Sequence, residues 1–333
     1  MIRFHLICLL ALSCVLAFSG RVDASQILAW GRDNEGEVSR APTGSGFRAI
    51  AAGWLSAFAL RADGSIAAWG DNSYGEVSSA PAGTGFTAIT AAGYTDYALR
   101  ADGSIAAWGD NNDGEVSGVP NGTGFTAIAA DDATGYALRA DGSIAAWGWN
   151  GHGSVSGVPA GTGFKAITGW MYGGFALRAD GSIAAWGDNS FGEVSSAPAG
   201  TGFTAIEAAR YTGYALRPDG SIAAWGGDFA GEVSGVPTGV GFTAVVGGQA
   251  NGYAIRPDGS IAAWGRDNEG EVSRAPTGTS FTAIAGGYET GYALTPEPAS
   301  ISLLLVGVLS ALSIVALRRR TEFRVESRGG AVG

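Results

Sequence analysis

Cysteine occurs only at Cys8 and Cys14, so no disulfide can staple anything beyond the first two dozen residues. Past residue 25 there is one histidine, His152, and one lysine, Lys165. That scarcity removes every Ser-His-Asp set that does not pass through His152, and most transition-metal arrangements with it. The adjacent acids Asp131 and Asp132 make a poor opposed acid and base pair, because such carboxyls must flank a substrate. The chain is therefore expected to be no enzyme and to hold no metal and no cofactor.

Positive charge is scarce as well. Residues 25–295 carry 26 Asp and Glu against 13 Lys and Arg, a net of 13 negative charges. Nucleic acid and anionic membrane surfaces are thereby excluded as partners of this region. Glycine, in contrast, is abundant, with 56 of 333 residues. So much glycine would signal disorder were the aromatic residues not held at fixed spacing.

That spacing is the dominant feature. Tryptophan recurs at positions 30, 69, 108, 147, 186, 225 and 264, and phenylalanine at 47, 86, 125, 164, 203, 242 and 281, each at a step of 39 residues. Seven copies of one unit fill residues 25–295. Each reads as four short strands, placed in the second unit at Phe86 to Ala91, Tyr97 to Arg100, Ser104 to Trp108 and Glu115 to Ser117. Asp102-Gly103 between the second and third suits a primed hairpin turn. Apolar residues on both faces of the strands indicate sheets covered on both sides. Small sheets repeated at this period predict an all-β fold, a seven-bladed β-propeller. The first copy begins at its third strand, Ser25 to Trp30, and the last stops after its second, at Leu294. These complementary halves predict a ring closed by amino- and carboxy-terminal strands sharing one blade, which leaves no unpaired inner edge.

The units, with Ala-Ile-Ala-Ala-Gly, an aromatic before Ala-Leu, then Asp-Gly and Trp-Gly-Asp-Asn-x-x-Gly-Glu, resemble the regulator of chromosome condensation (RCC1-like) repeat family over residues 25 to 294. The resemblance implies a seven-bladed propeller. This chain departs from it in carrying Glu76, Glu115 and Glu193 where Gln is usual, and Tyr97 or Tyr136 where His is frequent.

The two ends read as addresses. Arg3, the apolar run from Phe4 to Phe18 and the small residues before Ser25 form a signal peptide, residues 1–24. Pro296-Glu297-Pro298, an apolar stretch 301–317 and Arg318-Arg319-Arg320 resemble a PEP-CTERM sorting signal spanning 296–320, followed by a short tail, 321–333. The resemblance implies signal peptidase and an exosortase as processing partners. It also implies a membrane contact through the carboxy-terminal segment, transient or permanent, and residence in the envelope, surface or extracellular matrix of a Gram-negative bacterium.

Glu37, Glu76, Glu115, Glu193, Glu232 and Glu271 share one repeat position, with Ser154 there in the one remaining copy. The oxygen-rich loops around them lack EF-hand spacing, and Asx turns account for Asp-Asn-x-x-Gly without an ion. Differences between copies collect in two stretches, after the first strand and after the third, which antiparallel order places on one face. A rigid scaffold with variable loops on one side is a common way to build a binding surface. The fourth copy departs most. The candidate ligand-binding residues are Trp54, Tyr94, Trp149, His152, Trp170, Met171, Tyr172, Tyr211 and Tyr288, whose rings suit a sugar or a protein hot spot. The sequence thus predicts an exported, non-enzymatic binding module for a polysaccharide or surface protein. The alternatives are an exchange-factor-type interaction protein, by family analogy, and a propeller lyase or hydrolase.

Overall fold

The structure, a computed structural model, describes residues 25–296. The expected signal peptide, the apolar stretch 301–317 with its arginines, and the tail lie outside the described residues. Among those described, no helix is long and apolar enough to cross a membrane.

Strand β1 (Ser25–Gly31) precedes the first full unit, β2 (Phe47–Ala52), β3 (Ser56–Arg61) and β4 (Ile66–Gly70). Next come β5 (Phe86–Ala92), β6 (Thr95–Arg100) and β7 (Ile105–Gly109), then β8 (Phe125–Ala130), β9 (Thr134–Arg139) and β10 (Ile144–Gly148). The fourth copy holds β11 (Phe164–Trp170), β12 (Gly173–Arg178) and β13 (Ile183–Gly187), and the fifth β14 (Ala205–Ala208), β15 (Thr212–Leu216) and β16 (Ile222–Gly226). The chain continues through β17 (Ala244–Gly247), β18 (Asn251–Ile255) and β19 (Ile261–Gly265) to β20 (Ala283–Gly286) and β21 (Thr290–Pro296). Five sheets have three antiparallel strands in sequence order. The sixth runs β20-β21-β1-β2-β3-β4, its halves joined by the single pair Ser25 and Phe47.

The split copy is completed as expected in this respect: β1 pairs with β21 from Ser25↔Pro296 to Gly31↔Thr290. Two local expectations fail. The fourth segment is no strand, because Glu115 to Gly118 forms a single helical turn with Gly118 N–H on the Gly114 carbonyl at 2.8 Å. Asn111 explains it: its Oδ1 accepts the N–H groups of Val116 and Ser117 at 2.9 and 2.8 Å, as a helix cap does. The same cap is made by Asp33, Asn72, Asn150, Asn189, Asp228 and Asp267. The Asp-Gly hairpin is likewise no two-residue primed turn. Arg100 N–H bonds the Ser104 carbonyl and Gly103 N–H the Arg100 carbonyl. Only Gly103 takes a positive φ, 79°. This is a three-residue loop closed by a glycine bulge, with Asp102 Oδ1 accepting Ser104 N–H.

Packing between units repeats with the sequence. Each third-strand Trp donates its indole N–H to a carbonyl of the preceding turn, as Trp108 does to Glu76 and Trp147 to Glu115, both at 2.8 Å. Trp30 makes the same bond to Glu271, 241 residues away. Each Trp also meets the aromatic ring of the previous unit's second strand edge-on; Tyr97 and Trp147 lie 5.4 Å apart at 83°. The residue opposite the Trp in its own sheet must be small: a Cβ added to Gly135 would sit 2.3 Å from the Trp147 ring. Second strands such as Tyr136, Ala137 and Leu138 are fully buried, since neighbouring sheets cover both faces. First strands touch in the order β2, β5, β8, β11, β14, β17, β20, and β20 also touches β2.

One buried residue breaks the pattern. Asp96 stands opposite Trp108 where five other copies have glycine and one has Ala57. It is fully buried, and neither carboxyl oxygen has a hydrogen-bond partner. Burial, and secondarily Glu76, hold its pKa well above the usual range. Asp96→Gly should therefore stabilise the protein by about 2 kcal/mol near neutral pH, the relief of an unpaired buried polar group less the entropy of glycine. The sign with pH is fixed. Below the unfolded pKa, near 3.9, both states bind the proton; above it only the unfolded state ionises, and the native state falls behind until its raised pKa is reached. Denaturant titrations from pH 3.5 to 8 should show the advantage of Asp96→Gly growing with pH. A constant difference would mean that Asp96 ionises in the fold.

Candidate functional site

The connections after the first strands converge on a cavity of about 130 Å³ lined by all seven copies. Its wall is uniform. At one repeat position it presents Ala52, Ala91, Ala130, Gly169, Ala208, Gly247 and Gly286. Small residues are required where first strands approach: a Cβ on Gly169 would stand 2.4 Å from the Ala130 carbonyl oxygen. Two residues further along each copy the lining reads Trp54, Gly93, Asp132, Met171, Arg210, Gln249 and Tyr288, seven different residues. A second cavity of about 150 Å³ shares the small-residue girdle and contains Thr90, Thr168 and Glu207.

The ionisable groups here are few. Asp131 is buried and consumed locally, accepting Ala133 N–H at 2.9 Å and the Tyr136 hydroxyl at 3.1 Å. Its partly exposed neighbour Asp132 is pushed up to about 7 by the protein packed around it, while Arg210 and Trp54 pull it back. Glu207, facing the second cavity, is pushed up to about 8 by burial, against one backbone hydrogen bond from Ala208. Arg210 donates Nε–H to Met171 Sδ at 3.1 Å and lies over the Tyr211 ring, 5.0 Å from its centroid. Among the described residues it has no carboxylate within ion-pair distance.

Around the cavity mouth the face carries aromatic clusters built across neighbouring copies. Trp54, Tyr94 and Tyr288 adjoin, with Trp54 5.1 and 6.0 Å from the other two, and Tyr74 packs on Tyr94 at 4.6 Å. Trp149, His152 and Tyr172 form the second cluster, His152 stacking on Tyr172 at 5.3 Å and its Nδ1 3.4 Å from Asp188. Tyr211 joins Phe191 and Phe229 in the third. Tyr74, Phe191 and Phe229 are 47%, 45% and 60% exposed, more than the candidate aromatics they touch, which are half-buried. Tyr74, His152 and Phe191 occupy one repeat position. Large residues thus recur at that step as Tyr74 and Phe191, which the sequence reading missed because it took Trp149 and His152 alone from the stretches after the third strands.

Trp170 requires correction. It is 2% exposed, stacks on Phe175 at 5.9 Å and belongs to the core between the fourth and fifth copies. Strand β11 extends to include it, so the side chain points between sheets and reaches the cavity only as wall. The repeated glutamates are also internal. Glu76 and Glu193 are buried, their Oε2 atoms accepting the backbone N–H two residues earlier at 2.9 Å, and burial raises both carboxyls. They brace the turn and are not among the residues lining either cavity.

The profile of the regulator of chromosome condensation (RCC1) repeat matches residues 47–76. No curated protein matches the chain. Among solved structures it is similar to Prp20p from Saccharomyces cerevisiae, with 16% identity, TM-score 0.71, and coverage of 90% of this chain and 97% of that one. The ectodomain of the Physcomitrella patens receptor kinase CR4 gives 24% identity and TM-score 0.62 over 72% and 68% of the two chains. Human WBSCR16 gives 14% and 0.65 over 83% and 100%. At such identities the likeness is one of fold: repeated three-stranded antiparallel sheets of the RCC1 propeller type.

Proposed function

We propose that the chain is an exported, non-enzymatic binding module, a seven-bladed ring whose variable face holds a polysaccharide or a protein. Closure is supported by the pairing of β1 with β21, the bond from Trp30 to Glu271 and the contact of β20 with β2. The observation that carries the function is the coincidence of two asymmetries: the loops in which the copies differ are those that gather exposed rings on one side. Aromatic anchors of this kind dominate interface energetics. Prp20p is described as binding Gsp1p and histones. Those partners do not transfer at this identity, because fold alone does not carry function.

Tyr74→Ala combined with Phe229→Ala should weaken binding by about 1–3 kcal/mol, and change the melting temperature little, because both rings are substantially exposed. Glycan and secreted-protein screens followed by titration of the double variant test this. Unchanged affinity for every ligand found would refute the face. For export, mass spectrometry of the processed chain should find Ser25 at the amino terminus and no residue beyond the Pro296-Glu297-Pro298 region. Retention of residues 1–24 would sink export, and an intact Arg318-Arg319-Arg320 would leave a permanent anchor in its place.

A further inference from the structure

The cavity mouth is the most diversified position in an otherwise repetitive molecule. Two residues away every copy has Ala or Gly, yet the rim holds seven different residues, so general drift does not account for the contrast. From this ring we infer that the mouth receives the terminal ring of a neutral sugar chain. Asp132, Arg210 and Gln249 take its hydroxyls, and Trp54 and Tyr288 take its C–H faces.

The chemistry narrows the class. The rim carries a single carboxyl, Asp132, and a single guanidinium, Arg210, so it offers both acceptors and donors but no cluster of one charge sign that would hold a strongly charged ligand. An anionic polymer is further opposed by 26 acidic against 13 basic residues over 25–295. What these side chains fit is a group that both donates and accepts hydrogen bonds in several directions and has an apolar face. A pyranose does both, its hydroxyls serving as donor and acceptor while its C–H face lies on an aromatic ring. Arg210 is placed for this, held by Met171 and Tyr211 and without a carboxylate partner among the described residues. Size agrees. The cavity, about 130 Å³, is smaller than the roughly 300–1,000 Å³ of pockets that enclose a whole small ligand. It therefore takes one end unit while the remaining chain lies across the aromatic clusters. This inference rests on the proposed binding face and deepens it.

The test titrates the full-length protein with neutral monosaccharides and their short oligomers (glucose, galactose, mannose and N-acetylglucosamine series), following tryptophan fluorescence and calorimetry. Uronic-acid oligomers and acidic and basic peptides serve as comparisons. At least one neutral series should bind, and Arg210→Met and Trp54→Ala should each weaken it tenfold or more with unchanged melting. Tyr74→Ala with Phe229→Ala should weaken the longer oligomers and leave the monosaccharide unaffected. Should Trp54→Ala melt early, Arg210→Met together with Gln249→Ala reads the same rim. Sugar binding that survives the rim variants but is lost in Tyr74→Ala with Phe229→Ala would overturn the rim and leave the face standing. Preference for uronates or peptides would overturn the neutral class. Absence of all binding would overturn both.

Discussion

Deletion of Ser25 to Gly31 is expected to abolish the single cooperative unfolding transition and to drive the protein into aggregates. Those residues are strand β1, which pairs with β21 along all seven positions. Their loss strips β21 of a neighbour and exposes an edge that other chains can pair with. It also removes Trp30, 5% exposed, whose ring meets Tyr253 edge-on at 5.5 Å and whose N–H bonds the Glu271 carbonyl. A buried Trp alone is worth about 3–5 kcal/mol, against a total stability of about 5–15 kcal/mol. The segment Asp33 to Val38 adds a capped turn and not a second strand, so β1 is the decisive element. Size-exclusion chromatography and thermal melts followed by near-ultraviolet circular dichroism decide it. An unchanged monomer with unchanged melting would mean that the ends do not close the array.

Trp170→Ala should cost about 3–4 kcal/mol, whereas Tyr172→Ala, two residues away, should cost less than about 1. Trp170 fills the space between the fourth and fifth copies beside Phe175 and Ile206, and truncation leaves a hole that strand backbones cannot close. The loss falls short of the upper bound because the buried indole N–H has no partner, and removing it relieves that penalty. Tyr172 is half-buried, its ring packed on those of Trp149 and His152 at the surface. Denaturant midpoints of the two variants provide the check. Equal midpoints would put Trp170 in solvent and return it to the binding face.

The difference between these residues was not legible in the chain. Trp170, Met171 and Tyr172 stand together in a stretch where the copies diverge, and nothing local says that the first ends a strand while the third begins a loop. Strand length decides, and it is set by how far the adjacent strand of the same sheet continues to pair: β11 pairs with β12 as far as Trp170↔Gly173, whereas β14 stops at Ala208↔Gly213. The fourth segment of each unit was misread for a related reason. Glu-Val-Ser has strand-forming character, but the Asx residue five positions before the valine satisfies two N–H groups and bends the segment into a turn. Asp96 was equally hidden, since one acid in a glycine position looks like surface variation until Trp108 and the adjoining sheet enclose it.

By itself the sequence determined the number of copies, the boundaries of each to within a few residues, the hairpin position at Asp-Gly and the pairing of the two ends. A period of 39 residues with buried aromatics admits little else, because one unit cannot cover its own apolar faces. Tertiary structure alone decided which variable residues meet. Trp54, Asp132, Arg210, Gln249 and Tyr288 are separated by tens to hundreds of positions, and only the convergence of the first strands brings them to one cavity. The same convergence turned Trp170 inward and left Tyr74 and Phe229 exposed. Burial is a property of the neighbouring unit's placement, which no single repeat encodes.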